Sequence, residues 1–389
     1  MPNNLLRIME QQNHNSRSSS EKEIMAASCL EGTGGSLPDD IVTEILARLT
    51  MKSILRARSV CKHWHKLISD ESFASRNVQF SHRNSMALIE DSGTRLSLLD
   101  SLGEVSRLSL DFLETQVFVR ASHNGLLCCS AKGENGHTDY YVCNPITRQH
   151  VQLPYIAVDA DLVGLACDSS GRKFNVALAG HLYDKNKEAN ETIIGCVYHS
   201  ESNTWRKHMH RLDDLYEFSY IRKDPPVFVN GAFHWITEYS PIVLLVLDLS
   251  RGLLRKMRLP DKILKEQEDN TYCLLEFEGC LSVIEISNSW MVTWVLQDYD
   301  NDVWYMLDRV SLNSNRLDLS MLEIVPICQT REDMVLGIGQ WMFLYQRNSR
   351  EWKPRYKIMK YGHIDPLFYS AFPFRATMLP CCQFDDQLH

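Results

Sequence analysis

The sequence predicts a short α-helical segment followed by a large all-β domain that is β-propeller-like, with a β-sandwich of similar strand number as the structural alternative. Within residues 37–73, apolar residues recur three to four positions apart, which is the spacing of one helix face. The chain then changes to short apolar or alternating runs bounded by Asp, Gly and Ser. Examples of these runs, which are typical of strands, are Met86–Ile89, Arg95–Leu99 and Val117–Arg120.

The helical segment is predicted to contain three short helices. Pro38 and the two aspartates after it suit a first helical turn, because acidic side chains interact favourably with the helix dipole there. Thr50 and Ser53 are good N-cap residues for a second helix. Asp70–Glu71 predicts a polar turn after the third. The apolar residues with helical spacing are Ile41, Val42, Ile45, Leu46, Leu49, Ile54, Leu55, Ala57, Val60, Cys61, Trp64, Leu67 and Ile68.

Two interpretations of these apolar residues are open. A segment this short rarely buries enough surface to be stable alone. Leu37, Ile41, Ile45, Leu55 and Trp64 therefore either pack against the rest of the chain or form a partly exposed apolar face for a partner. Spacing alone favours an ordinary core.

Four segments, in order and spacing, resemble an F-box. They are Leu37–Val42, Ile45–Leu49, Ser53–Arg56 and Ser59–Trp64, and they cover about a tenth of the chain. The resemblance implies docking on the Skp-type adaptor of a cullin-based ubiquitin ligase. The residues that it assigns to this contact are Leu37, Pro38, Ile41, Ile45, Leu46, Leu55, Val60, Cys61 and Trp64. Small apolar anchors with one large aromatic residue suit an interface centre, although Ile45 and Val60 are alternatively residues that hold the helices together.

Three kinds of short segment recur in the β region: a tight turn before an apolar strand, a strand followed by a polar turn and a closing Leu-Pro, and a polar turn ending in tryptophan. In that order they are Asn124-Gly125, Asn230-Gly231 and Glu278-Gly279; Tyr141–Pro154 and Leu247–Pro260; and the turns before Trp205, Trp304 and Trp352. Asn-Gly suits hairpins because both residues tolerate positive φ. The tryptophans are expected in the core of the domain rather than at a ligand.

The recurrence period of ~45–50 residues is that of a propeller blade. The β region is therefore predicted to form about six blades of four strands. This pattern resembles the F-box-associated, kelch-like domains of plant F-box proteins. The predicted division is a disordered arm (1–36), an F-box (37–77), a linker (78–84), an F-box-associated β-propeller-like domain (85–380) and a tail (381–389).

Composition restricts the class of protein. The 389 residues carry a net charge of −8, which argues against a general binder of nucleic acid or anionic membrane. The 12 cysteines contain no CxxC pair and are expected to be buried, reduced thiols, as in proteins of the cytoplasm or nucleus. We find no secretory signal, and the longest purely apolar run, Ile242–Leu247, is too short to span a bilayer.

Sites for catalysis or metal binding are not predicted. His63 and His65 are two positions apart on a helix and face different ways, whereas His208 and His210 lack further ligands nearby in the sequence. Gly337–Gly339 lacks the third glycine of a dinucleotide loop. No set of nucleophile, base and orienting residue is visible. We therefore expect no cofactor, no metal and no catalytic residue.

A group of basic residues in the helical segment has three interpretations: a DNA-binding helix-turn-helix, a solvated face, or a surface that attracts an acidic adaptor. Its members are Lys52, Arg56, Arg58, Lys62, His63, His65 and Lys66.

Two classes of function remain. The favoured one is the substrate-recognition subunit of a Skp–cullin–F-box ubiquitin ligase, which is not itself an enzyme and binds an unknown target protein through its β domain. The alternatives are a propeller enzyme and a DNA-binding protein that uses the basic helices. Loop tips expected to select a target include Asp184–Glu191, Asp213–Glu217 and Asp298–Asp302.

Overall fold

Two compact units make up the computed structural model of the chain. The first comprises the residues up to Arg83 with Ala376–Met378, and the second comprises Asn84–Arg375 with the residues from Leu379 onward. The predicted arm, 1–36, lies outside the described residues. The structure describes residues 37–81, 86–92, 94–100, 105–133, 136–168, 171–181, 192–211, 224–237, 242–259, 262–264, 270–312, 324–339, 341–357 and 371–381.

The described part of the first unit contains four helices. They are α1 (Asp39–Ala47), α2 (Met51–Ala57), α3 (Lys62–Ser69) and α4 (Glu71–Ser81). Side-chain caps begin the second and third of these helices. Thr50 Oγ1 accepts a hydrogen bond from the Ser53 N–H at 3.4 Å, and Cys61 Sγ accepts one from the Trp64 N–H at 3.4 Å. The three predicted helices are thus present.

The fourth helix corrects the sequence analysis. The expectation of a polar turn at Asp70–Glu71 is wrong, because α4 begins at Glu71. Asp70 Oδ1 accepts hydrogen bonds from the Ser72 N–H at 2.9 Å and from the Ser72 hydroxyl at 2.6 Å. A side-chain acceptor just before the first turn is what starts a helix. α4 continues through Ser81, so the described part of the predicted linker 78–84 is helical.

The second unit is built from six four-stranded antiparallel sheets, as predicted, and a β-sandwich is excluded. The strands in the described residues are β1 (Met86–Ser92), β2 (Arg95–Leu99), β3 (Val105–Ser109), β4 (Val117–His123), β5 (Leu126–Lys132), β6 (Thr138–Asn144), β7 (Gln149–Gln152), β8 (Asp159–Cys167), β9 (Phe174–His181), β10 (Thr192–His199), β11 (Thr204–Arg211), β12 (Val227–Val229), β13 (Ala232–Ile236), β14 (Val243–Asp248), β15 (Leu254–Arg258), β16 (Thr271–Phe277), β17 (Cys280–Ile286), β18 (Trp290–Asp298), β19 (Val303–Ser311), β20 (Ile324–Gln329), β21 (Asp333–Ile338), β22 (Trp341–Gln346), β23 (Glu351–Lys357) and β24 (Ala371–Phe374).

The sheets are the blades of a closed six-bladed β-propeller. Blade 1 has the strand order β24-β1-β2-β3, and blades 2 to 6 take four consecutive strands each, from β4–β7 to β20–β23. The first strand of each blade contacts the first strand of the next, in the cycle β24, β4, β8, β12, β16, β20 and back to β24. These six strands therefore line the centre, and the fourth strand of each blade lies at the rim.

The core of the second unit lies between neighbouring blades. One apolar cluster joins blades 2 and 3, another joins blades 3 and 4, a third joins blades 4 and 5, and a fourth joins blades 6 and 1. Of the recurring tryptophans, Trp304 is buried between blades 4 and 5, whereas Trp205 and Trp352 are half-buried. The expectation that the tryptophans lie in the core of the domain is confirmed for Trp304 and only in part for Trp205 and Trp352.

The tight turns repeat as the sequence indicates. In blades 2, 4 and 5 the turn between the first two strands is Asn124-Gly125, Asn230-Gly231 or Glu278-Gly279, and every one of these six residues has positive φ. Because both central positions are left-handed, each pair makes a hairpin whose twist matches that of its strands.

The last described residues of the chain, including Leu379 and Cys381, pack into the β domain. After β24, the Leu379 side chain is fully buried and Cys381 joins the apolar cluster between blades 2 and 3. The Leu379 carbonyl accepts a hydrogen bond from Asn144 Nδ2 at 2.7 Å. The predicted boundary at residue 380 is therefore too early, since Cys381 is part of the core rather than of a tail.

Candidate functional site

The exposed apolar residues of the helical unit are the first candidate site. Leu37, Ile41, Leu55 and Val60 expose 36%, 48%, 37% and 53% of their surface, and Pro38 is exposed beside them in sequence. Ile41 lies on the first turn of α1, Leu55 near the end of α2, and Val60 in the turn before α3. Large apolar side chains this exposed are a feature of surfaces that bind another protein.

A side-chain contact links two of the helices that carry this set. His63 Nε2 lies 3.0 Å from Asp39 Oδ1, which joins the first turn of α3 to the first turn of α1. The contact thereby joins the helix that follows Val60 to the helix that carries Ile41. Both partners are largely exposed, so this pair orients the helices more than it stabilises them.

Other residues predicted for the adaptor contact have a different role. Leu46 and Trp64 are buried in the helical unit, and Ile45 and Cys61 are half-buried. The core around Leu46 and Trp64 consists of Ala47, Met51, Ile54, Ala57, Ile68, Phe73 and Ala74. These residues support the helices, whereas Val60, which had been an alternative core residue, is exposed.

Asn77 is a structural residue that the sequence analysis missed. It is buried on α4, and its Nδ2 donates a hydrogen bond to the Ala47 carbonyl at 3.1 Å, at the end of α1. Helix C-termini leave carbonyl groups without an intrahelical donor, so this bond satisfies one of them. No pattern in the sequence indicates it, because the two residues are thirty positions apart.

The second candidate lies in the propeller centre, where the ends of β4 and β8 bring together a histidine and a cysteine. His123 Nδ1 is 3.3 Å from Cys167 Sγ and accepts a hydrogen bond from the Cys167 N–H at 3.1 Å. Burial lowers the pKa of His123 to about 4 and raises the pKa of Cys167 well above that of an ordinary thiol. The pair is therefore a neutral imidazole beside a protonated thiol, which is the opposite of an activated nucleophile.

The remaining motifs do not converge on a site within the described residues. In that part of the chain there is no group of three or more His, Cys, Asp or Glu side chains placed to hold a metal. His208 packs against Gly252. Ten described cysteines are free thiols, and eight of these are buried. No helix among the described residues is long and apolar enough to cross a membrane.

The predicted target-selecting loops divide into two groups. Asp184–Glu191 and Asp213–Glu217 lie outside the described residues. Asp298–Asp302 forms the turn between β18 and β19, where Asp298 Oδ1 accepts hydrogen bonds from the N–H groups of Asp300 and Asn301. Together with a hydrogen bond from the Asn301 side chain, these bonds lower the pKa of the Asp298 carboxyl and explain the acidic turn by its own local contacts.

Comparison with known proteins agrees with this two-unit architecture. The F-box domain family matches residues 35–76, and the family described as F-box protein At3g26010-like, beta-propeller, matches residues 83–330. F-box protein At5g49610 of Arabidopsis thaliana is 40% identical over 360 residues, covering 90% of this chain and 98% of that protein. F-box protein At5g07610 of the same plant is 29% identical over 282 residues, which are 64% of each chain.

Among solved structures, TolB from Acinetobacter baumannii is 10% identical with a TM-score of 0.37, and the match covers 70% of this chain and 64% of that one. Both the identity and the TM-score are too low to carry a functional argument. The family matches and the Arabidopsis relatives, together with the helical unit and the six blades, lead to one conclusion. The chain belongs to the plant F-box proteins that carry an F-box followed by a β-propeller.

Proposed function

We propose that this chain is the substrate-recognition subunit of a Skp–cullin–F-box ubiquitin ligase. The observation that supports the proposal most directly is the exposure of Leu37, Pro38, Ile41, Leu55 and Val60 on the F-box helices. Covering these apolar side chains with a Skp-type adaptor removes them from water at roughly 25 cal/mol per Å² of buried area. Leu46 and Trp64 act indirectly, by holding the helices in place.

The propeller is the part that binds the target protein. Binding would hold a lysine of the target near the ubiquitin-loaded enzyme, so that the transfer becomes effectively intramolecular. The chain itself carries out no covalent chemistry in this mechanism. Its buried, free thiols suit the reducing environment of the cytoplasm or nucleus, where we expect the complex to act.

The test is adaptor binding by the purified full chain. Replacing two exposed apolar anchors, in Leu37→Ala/Ile41→Ala, is expected to weaken adaptor binding by about 2 kcal/mol or more, roughly thirtyfold, because anchors at an interface centre carry most of its free energy. Isothermal titration or surface plasmon resonance measures this change.

A matched control removes equally exposed apolar side chains from the propeller. Leu253 and Met209 expose 48% and 70% of their surface. Leu253→Ala/Met209→Ala is expected to bind the adaptor as the wild type does. Equal affinity of the wild type and Leu37→Ala/Ile41→Ala, with both folded by circular dichroism, would contradict the proposal.

A further inference from the structure

The space between the rim strands of blades 3 and 4, which we call the groove, begins where the two blades touch. These strands are β11 and β15, each the fourth in its sheet. The ring of His208, on β11, packs directly on Gly252, just before β15, where an added Cβ would overlap with the ring as it is placed. The two rim segments are therefore in contact at this point, and the groove runs along the strands from it.

Strand alternation decides which side chains line this groove. On β11, Arg206 shares a face with His208, because side chains two positions apart point the same way. That face is turned to blade 4, since the apolar cluster between the blades joins Val197, the partner of Arg206 in the sheet, to Leu254.

The same argument applies to β15. Leu254 belongs to the cluster between blades 3 and 4, so Lys256 and Arg258 share its face and line the groove. Arg255 points the other way, because its Nη2 donates a hydrogen bond to the Tyr299 hydroxyl of blade 5 at 3.0 Å.

The charge of this groove is opposite to that of the whole chain. Three of the side chains that line the groove, Arg206, Lys256 and Arg258, are Lys or Arg, and residues 204–211 and 250–258 contain no Asp or Glu, whereas the net charge of the chain is −8. The groove is thus a local cationic stripe on an anionic protein. Its cationic members are Arg206, Lys256 and Arg258, and the His208 ring lies on the same face as Arg206.

The geometry suits an extended segment of chain. From Gly252 to Arg258 the stripe extends about 20 Å, at ~3.3 Å per residue of strand. Among the described strands, β11 pairs with β10 alone and β15 with β14 alone, so in this part of the chain each presents one strand edge at the rim. A strand edge can hydrogen-bond to an extended peptide, while side chains beside it select the charge of that peptide.

We propose that this cationic groove binds an acidic, extended peptide segment of the target protein, rich in Asp and Glu. The inference rests on the proposed function and specifies the chemical class of target. Nucleic acid is the less suitable occupant, because the rest of the chain, with its net negative charge, repels a polyanion longer than the groove.

The experiment measures binding of a fluorescent polyglutamate peptide about ten residues long, long enough for the stripe, to the full chain by fluorescence anisotropy. The groove variant is Arg206→Glu/Lys256→Glu/Arg258→Glu, which reverses the charge of three lining side chains.

The control variant reverses three exposed charges that do not line the groove, in Arg107→Glu/Lys132→Glu/Lys207→Glu. Arg107 lies on β3 and Lys132 on β5, in blades 1 and 2. Lys207 lies on β11 itself, next to Arg206 in sequence and hence on the opposite face of the strand. The control therefore changes the net charge by the same amount as the groove variant.

The expected result is salt-sensitive binding by the wild type and by the control variant, and a loss of about tenfold or more in the groove variant, as the reversal of several charge contacts requires. A milder variant, Lys256→Gln/Arg258→Gln, is expected to lose binding in part. It tests the groove independently should the triple variant fail to fold. Absence of polyglutamate binding by the wild type, or equal losses in the groove and control variants, would overturn the proposal. Tighter binding of duplex DNA than of polyglutamate at this groove would overturn it too.

Adaptor binding, measured on the same preparations, separates this inference from the proposed function. The groove variant is expected to bind the adaptor normally. A chain that binds polyglutamate but no adaptor contradicts the proposed ligase role alone, whereas a chain that binds the adaptor but no polyglutamate contradicts the groove alone.

Discussion

At the scale of single residues, a buried ion pair joins blades 5 and 6. Arg347 Nη1 lies 3.2 Å from Asp308 Oδ2, and the two side chains expose only 7% and 15% of their surface. Arg347 Nη2 also donates a hydrogen bond to Gln329 Oε1 at 2.7 Å, and its Nε donates one to the Thr330 carbonyl at 3.3 Å. Removing one partner of such a pair destabilises the fold strongly, because the other charge is left buried without a counter-charge.

We predict that Arg347→Ala lowers the free energy of unfolding by about 3–5 kcal/mol, because it leaves the Asp308 carboxylate buried without its cation. The matched control is Arg331→Ala. Arg331 pairs with Glu278 at 2.8 Å, but these side chains are 77% and 45% exposed. Arg331→Ala should therefore lower the free energy of unfolding by less than about 1 kcal/mol. Urea unfolding midpoints at constant m value measure both changes. Similar costs for the two variants would show that burial does not decide the strength of these pairs.

At the scale of elements, the helix start at Asp70 has a defined pH dependence. Hydrogen bonds from Ser72 hold the pKa of the Asp70 carboxyl below its usual range. A carboxyl whose pKa is lowered by folding contributes stability above its ordinary pKa, and that contribution is lost as pH falls through the lowered value. The cap should therefore stabilise α4 at neutral pH and cease to do so in acid.

We predict that Asp70→Ala lowers the free energy of unfolding at neutral pH by ~1 kcal/mol, the usual contribution of an N-cap. The difference between the wild type and the variant should shrink as pH falls below the ordinary range of an aspartate. Thermal unfolding of both proteins across pH measures the difference, which cancels the titration of the other carboxyls. A difference that stays constant down to acidic pH would mean that the charged carboxylate is not the cap.

The helices also show what the sequence can and cannot predict. The first three helices follow from their apolar spacing, but α4 does not, because Asp70 and Glu71 favour a turn as much as a helix start. The spacing places Ile41 and Leu46 in one apolar pattern, yet Ile41 is exposed and Leu46 is buried. That difference is set by the packing of α3 and α4 against α1, which no local pattern contains. The resemblance to a family thus predicts a contact set, and tertiary packing divides that set into exposed and buried members.

At the scale of the whole molecule, the repeating turns predicted the blades, but the closure of the ring was not predicted. The first strand of blade 1 comes from the end of the chain: β24 pairs with β1, from Met86↔Phe374 to Ile89↔Ala371. Since these partners are nearly three hundred positions apart, local periodicity cannot indicate the pairing. The same applies to the bond between Asn144 and Leu379, which are 235 positions apart.

We predict that the end of the chain stabilises the propeller in two separable steps. Deleting 379–389 removes the fully buried Leu379 and the acceptor of the Asn144 amide. The free energy of unfolding should therefore fall by roughly 3 kcal/mol or more, because apolar burial is lost and the Asn144 donor is left unsatisfied. Deleting 371–389 also removes the innermost strand of blade 1, exposing the edge of β1 and the cluster shared with blade 6. The ring then has an open edge, and the cooperative unfolding transition should be lost.

The comparison between the two deletions separates the steps, because the longer one differs from the shorter by β24 and the residues up to Met378. An unchanged midpoint and m value for the longer deletion would contradict closure by β24, because an intact ring cannot form from a blade that lacks its central strand.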